Sequence, residues 1–123
     1  MGVFRMTLTT EGWSRERVLN TLTWIVDNVI LYSQYPRDAY HLQINLDVHG
    51  PCNGENLRAY FAFASDILDY HVGENAFTEN NDEAWQVSYG SSVDRCMEIL
   101  PTVLSNCYSN FCISIDLRRD SSQ

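Results

Sequence analysis

Residues 3–9 alternate between apolar and polar positions, with Phe4, Met6 and Leu8 on one side and Arg5, Thr7 and Thr9 on the other. A period of two over this length predicts a half-buried strand. Gly12 and Ser14 then introduce a helix with Ser14 as its N-cap. Along it Val18, Leu19, Leu22, Ile25, Val26, Val29 and Ile30 share one face at helical spacing. Trp24 and Leu31 fall on the opposite face, beside Arg17 and Asp27. The helix must stop before Pro36, because the residue preceding a proline is driven out of helical geometry.

A second strand is predicted at 41–49, where Leu42, Ile44, Leu46 and Val48 alternate with Gln43, Asn45, Asp47 and His49. Gly50-Pro51 closes it. The stretch 55–71 reads two ways: Leu57, Tyr60, Phe61, Ala64, Ile67 and Leu68 fit a helix, whereas Ala59, Phe61 and Phe63 fit a strand. Three alanines and the scarcity of β-branched residues favour the helix, capped at Asn53 or Gly54 and ended at Gly73. A polar acidic loop at 73–83 and a short strand at 84–89 follow. Ser91 or Ser92 starts a further helix with Val93, Cys96, Met97, Leu100, Val103, Leu104 and Cys107 on one face and Pro101 inside it. The last strand, 111–118, turns Phe111, Ile113, Ile115 and Leu117 inward.

The predicted order β-α-β-α-β-α-β describes one α/β domain over residues 1–123, with a sheet of about four strands and three helices in two or three layers. Residues 119–123 are expected to be a loose tail. Were 57–64 a strand, the order would become a ferredoxin-like α+β plait carrying an acidic insertion.

Charge sharpens this outline. The net charge is −8, and between Ala59 and Asp94 stand Asp66, Asp69, Glu74, Glu79, Asp82, Glu83 and Asp94 with no arginine or lysine among them. Tyr60, Tyr70, Phe77, Trp85 and Tyr89 are interleaved with these carboxylates. A concentrated negative field with aromatic anchors suits docking on a basic protein surface and repels a phosphate backbone. All eight basic residues are arginine, a fact for which the sequence offers no physical account.

The apolar run around Trp24–Tyr32 is interrupted by Asp27 and Asn28, so no membrane span is expected. No signal peptide is evident, and Cys52, Cys96, Cys107 and Cys112 lack framework spacing. Reduced thiols in a cytoplasmic protein are therefore expected.

Candidate chemistry is sparse. His41, His49 and Cys52 are expected to cluster around one strand end, but zinc needs four ligands and no CxxC supplies the rest, so no metal is expected. A Cys52 nucleophile with His71 or His41 lacks a flanking motif, and no phosphate-binding glycine fingerprint occurs. Glu79-Asn80-Asn81-Asp82-Glu83 has calcium-loop composition without the required spacing. The expectation is a binder without cofactor rather than a catalyst.

Gly54-Glu55-Asn56-Leu57, opening an aromatic-rich helix, resembles the helix start of the barstar family of ribonuclease inhibitors. The later order of strand, helix and strand is also similar, and the resemblance covers about seventy C-terminal residues. Arg58 and Ala62 stand where that family presents acidic residues, and the strand at 41–49 has no counterpart there. The resemblance implies an immunity protein that blocks a basic toxin, with its acidic surface moved to 66–83.

The expected function is accordingly an acidic protein that occludes the active or nucleic-acid-binding surface of a basic partner. An immunity protein or antitoxin against a nuclease-type toxin comes first, and an anti-CRISPR-type nucleic-acid mimic relies on the same physics. The predicted contact residues are Asp66, Asp69, Tyr70, Glu74, Phe77, Glu79, Asp82, Glu83 and Trp85. Trp24 and Leu31 are candidates for a dimer contact or partner anchor, as an acidic dimeric secretion chaperone would need.

Overall fold

The computed structural model describes residues 2–64, 69–74, 83–107 and 111–119. The elements run β1 (Gly2–Thr9), α1 (Arg15–Ser33), a 3-10 turn (Arg37–Ala39), β2 (Tyr40–His49), α2 (Gly54–Phe63), β3 (Asp69–Glu74), β4 (Ala84–Ser92), α3 (Val93–Ser105) and β5 (Phe111–Arg119). The strands form one antiparallel sheet in the order β1-β5-β2-β4-β3.

Among the described residues the sheet has five strands, close to the four or so expected, and the domain mixes helices and strands as expected. From β2 onward, the succession β2-α2-β3-β4-α3-β5 in the spatial order β5-β2-β4-β3 is that of a ferredoxin-like plait. The unit β1-α1 adds a strand to the free edge of β5. The plait does not arise as the alternative reading supposed, because residues 57–64 are not one of its strands. They belong to α2 and its C-cap, and the second strand of the plait is β3.

Local chemistry explains most boundaries. Ser14 accepts a hydrogen bond from the Arg17 amide and caps α1, and Ser92 does the same for α3 through Arg95. Gln34 ends α1 in the left-handed region at φ 68°, two residues before Pro36. Asn53 caps α2, which stops at Phe63 rather than near Gly73. The overshoot has a tertiary cause: Tyr70 and Val72 pair with Tyr89 and Val87 of β4, and this pairing claims the backbone for a strand. α3 runs unbroken through Pro101, which lies on its exposed side. Pro101 offers no amide to the Met97 carbonyl one turn earlier.

Register places the apolar side chains on a single face. Ile44 lies between Ile115 and Tyr89, and Leu46 between Ile113 and Val87. Against them pack Val18, Leu22, Val26 and Ile30 of α1, Leu57 and Phe61 of α2, and Ile99, Leu100, Val103 and Leu104 of α3. Each fully buried aliphatic side chain contributes roughly 1.5–3 kcal/mol. Tyr89 is buried with them, and its hydroxyl donates to the Cys96 carbonyl at 3.0 Å.

The other face of the sheet is polar from edge to edge. Across all five strands run Arg5, Asp116, Gln43, Gly90 and Asp69, and beside them Thr7, Ser114, Asn45, Ser88 and His71. Among the described residues the architecture is therefore two-layered, with the helices on one side and an uncovered hydrophilic sheet face on the other.

Candidate docking surface

Of the predicted contact residues, the described ones, Asp69, Tyr70, Glu74, Glu83 and Trp85, lie on β3 and at the start of β4, at the end of the molecule completed by α2. β3 is the terminal strand of the sheet and pairs with β4 alone among the described strands. Its alternation puts Asp69 and His71 on the polar face and Tyr70, Val72 and Glu74 on the helix side. Asp69, Glu74 and Glu83 are all exposed. Charged residues on a short edge strand also oppose unwanted strand pairing. Asp66, Phe77, Glu79 and Asp82 lie outside the described residues.

The aromatic residues divide into support and surface. Phe61 is buried and touches both Tyr70, at 5.3 Å between ring centroids, and Tyr89, at 5.4 Å. Tyr70 thereby rests on the core while 42% of it remains exposed. Trp85 is half-buried, its ring lying over the start of α2 so closely that a Cβ on Gly54 would come within 2.3 Å of it. The indole N–H of Trp85 is buried without a hydrogen-bond partner among the described residues. Trp85 thus belongs more to the frame beneath the surface than to the surface itself.

Two residues absent from the predicted contact set shape this end of the molecule. Phe63, at the C-terminal end of α2, is 87% exposed. Helical spacing already carried this signal: with Leu57, Phe61 and Ala64 buried, Phe63 must point outward. Arg58 reaches from α2 to the Val72 carbonyl through Nε at 3.1 Å and Nη2 at 2.8 Å, with its guanidinium 5.8 Å from the Trp85 ring centre. It locks α2 onto β3. No local pattern points to this long-range bond.

Asp94 leaves the acidic group. Arg37 binds it at 2.5 Å and also binds Asp27 at 2.7 Å, joining α1 to the start of α3. Trp24 and Leu31 stand where helical spacing put them, 67% and 71% exposed on the outer side of α1, followed by exposed Tyr32 and Tyr35.

The expected cluster of His41, His49 and Cys52 at one strand end does not form. His41 and His49 occupy opposite ends of β2, about 26 Å apart at strand rise. Among the described residues no group of three His, Cys, Asp or Glu is placed to hold a metal ion. The open sheet face has a shallow depression of about 390 Å³ lined by Arg5, Thr7, Asn45, Ser114 and Asp116. Its charges are already engaged, since Asp116 accepts from Arg5 at 3.2 Å and from Arg118 at 2.9 Å. No helix among the described residues is long and apolar enough to cross a membrane. Compared with known families, with curated proteins and with solved structures, the chain matches none.

Proposed function

We propose that this chain is a stoichiometric binding protein that uses the α2–β3–β4 end to occlude a basic surface on a protein partner. A nuclease-type toxin neutralised by its immunity protein is the preferred case. The observation that carries the reading is the exposure of Phe63 and Tyr70 at the same end as Asp69, Glu74 and Glu83. Aromatic side chains held rigidly at the centre of a patch supply binding energy once water is excluded. Carboxylates at the same end supply steering and charge-assisted hydrogen bonds to arginine or lysine. The same combination would serve a mimic of nucleic acid directed at a nucleic-acid-binding effector.

The test compares capture of basic proteins from the source lysate by the wild type, by Asp69→Arg/Glu74→Arg/Glu83→Arg and by Phe63→Ala. The reading expects a captured nuclease-type protein to be inhibited, to be released by salt and to be lost with the charge-reversed variant. Capture that survives charge reversal refutes it. The exposed Trp24 and Leu31 favour a second reading, a chaperone that pairs or grips its client through α1. Salt-resistant capture abolished by Trp24→Ala/Leu31→Ala would select that reading instead.

A further inference from the structure

We infer that Cys52 and Cys107 form a reversible dithiol–disulfide pair, oxidised by hydroperoxides, that fastens the turn before α2 to the end of α3. This inference stands apart from the docking surface and does not depend on it.

Geometry carries the argument. Cys52 and Cys107 face each other in an isolated antiparallel bridge, outside any named strand. The adjacent bond from the Asn53 amide to the Asn106 carbonyl, 3.0 Å, marks the cysteines as a non-hydrogen-bonded pair. Opposed Cα atoms in such a pair lie about 4.5 Å apart with their side chains close. A disulfide needs a Cα separation of about 4.4–6.8 Å. Asn56 Nδ2 donates to Asn106 Oδ1 at 2.8 Å, so the two segments are held in register independently of the sulfurs. Little movement is required to close the bond.

The environments assign the two roles. Cys52 is half-buried and so reachable from solvent, whereas Cys107 is buried with its S–H directed at the Val103 carbonyl at 3.3 Å. When Cys52 ionises, the Cys107 S–H can turn from Val103 to donate to it, which lowers the Cys52 thiol against the opposing effect of burial, with the Arg58 charge helping. The same bond, together with burial, pushes the Cys107 thiol up. Cys52 is therefore the attacking sulfur. Its thiolate, the proton having gone to solvent, takes the terminal oxygen of a hydroperoxide. The O–O bond breaks, the departing alkoxide or hydroxide is protonated, and Cys52 becomes a sulfenic acid. The Cys107 sulfur then bonds to Cys52, and its proton leaves with the sulfenic hydroxyl as water. Overall, two thiols and one hydroperoxide yield one disulfide, one water and one alcohol, or a second water from hydrogen peroxide. A dithiol reductant reverses the change.

The other two cysteines serve as internal controls. Cys96 is buried with its S–H on the Leu42 carbonyl at 3.3 Å, and Cys112 faces Thr9 across the sheet at 3.9 Å. The reduced protein is treated with one equivalent of hydrogen peroxide, its mass is measured intact, and a tryptic digest is mapped without reduction. Cleavage falls at arginine only, so the bond should join peptides 38–58 and 96–118. The expected result is loss of two hydrogens per chain, a Cys52–Cys107 link resolved by fragmentation, and full reversal by dithiothreitol. Because Cys107 is buried, Cys52→Ser is the variant of choice. It should abolish the link while keeping the circular dichroism of the reduced wild type. A link through Cys96 or Cys112, oxidation of Cys52 to the sulfinic acid without a link, or a bond that resists dithiothreitol would each overturn the inference.

Discussion

Replacing Gly54 by alanine sets local propensity against packing, and the structure says which prevails. Gly54 is the first residue of α2, where alanine gains up to about 1 kcal/mol over glycine from helix propensity alone. The new Cβ would lie 2.3 Å from Trp85 Cζ3 and 2.7 Å from Cη2, distances that no carbon pair tolerates. Those atoms belong to a rigid ring seated on β4, so the whole indole must swing away. Overpacking of this kind costs about 1–3 kcal/mol. Gly54→Ala should therefore destabilise the protein by roughly 1–2 kcal/mol. A double-mutant cycle isolates the cause. In a Trp85→Leu background the clash is gone, and Gly54→Ala should become neutral or stabilising, leaving a coupling of about 2 kcal/mol. Urea titrations followed by far-ultraviolet circular dichroism on the four proteins measure it without relying on the altered tryptophan. A stabilising Gly54→Ala in the wild-type background, or an equal effect in both backgrounds, would refute the argument that Trp85 dictates glycine here.

Pro101→Ala should raise stability by about 1–3 kcal/mol in the same assay, since Pro101 is exposed and the change restores an amide donor to the Met97 carbonyl within α3. Unchanged stability would mean that the proline ring fits the helix without cost. Stability should also decline in alkali. Burial raises Tyr89 well above its usual 10.0 and pushes Cys96 up to about 12 from 9.0, so the fold holds protons that the unfolded chain releases. Their contribution is intact below about pH 9 and is lost as pH rises through the unfolded and then the folded values, at up to about 1.4 kcal/mol per pH unit for each group. Urea midpoints at pH 7, 9 and 10.5 should fall in that order, and the fall should be smaller for Cys96→Ala.

Where the apolar pattern is long and closed within one segment, the sequence predicts the fold well. α1 carries seven apolar residues on one face, and every one of them is buried or half-buried in the core. β2 and β5 alternate without a break, and their polar sides contained more than the strand assignment used. Gln43, Asn45, Asp47 and His49 leave no apolar residue to receive a second layer of helices. That pattern already excluded a three-layer domain. β3 was missed because only Tyr70 and Val72 face inward on it, and a two-residue alternation at a sheet edge is indistinguishable from a helix end.

The candidate surface was legible as charge but not as shape. Counting residues located the acidic end, and Asp69, Glu74 and Glu83 are indeed exposed. Composition could not rank the aromatics, because a ring's role depends on what lies under it. Trp85 ranks first by size, yet it is half-buried against Gly54, where it orients α2. Phe63 appears unremarkable in the sequence, yet its position one residue before the C-cap leaves it the most exposed of the large apolar side chains among the described residues. Asp94 likewise counts toward the charge while Arg37, distant in sequence, neutralises it. Partner recognition should therefore depend on Phe63 and Tyr70 as anchors and on the β3–β4 carboxylates as rim. Truncating Trp85 would then weaken binding indirectly, through the placement of α2, and would lower stability at the same time. A Phe63→Ala variant that keeps its full stability and loses the partner separates these two roles.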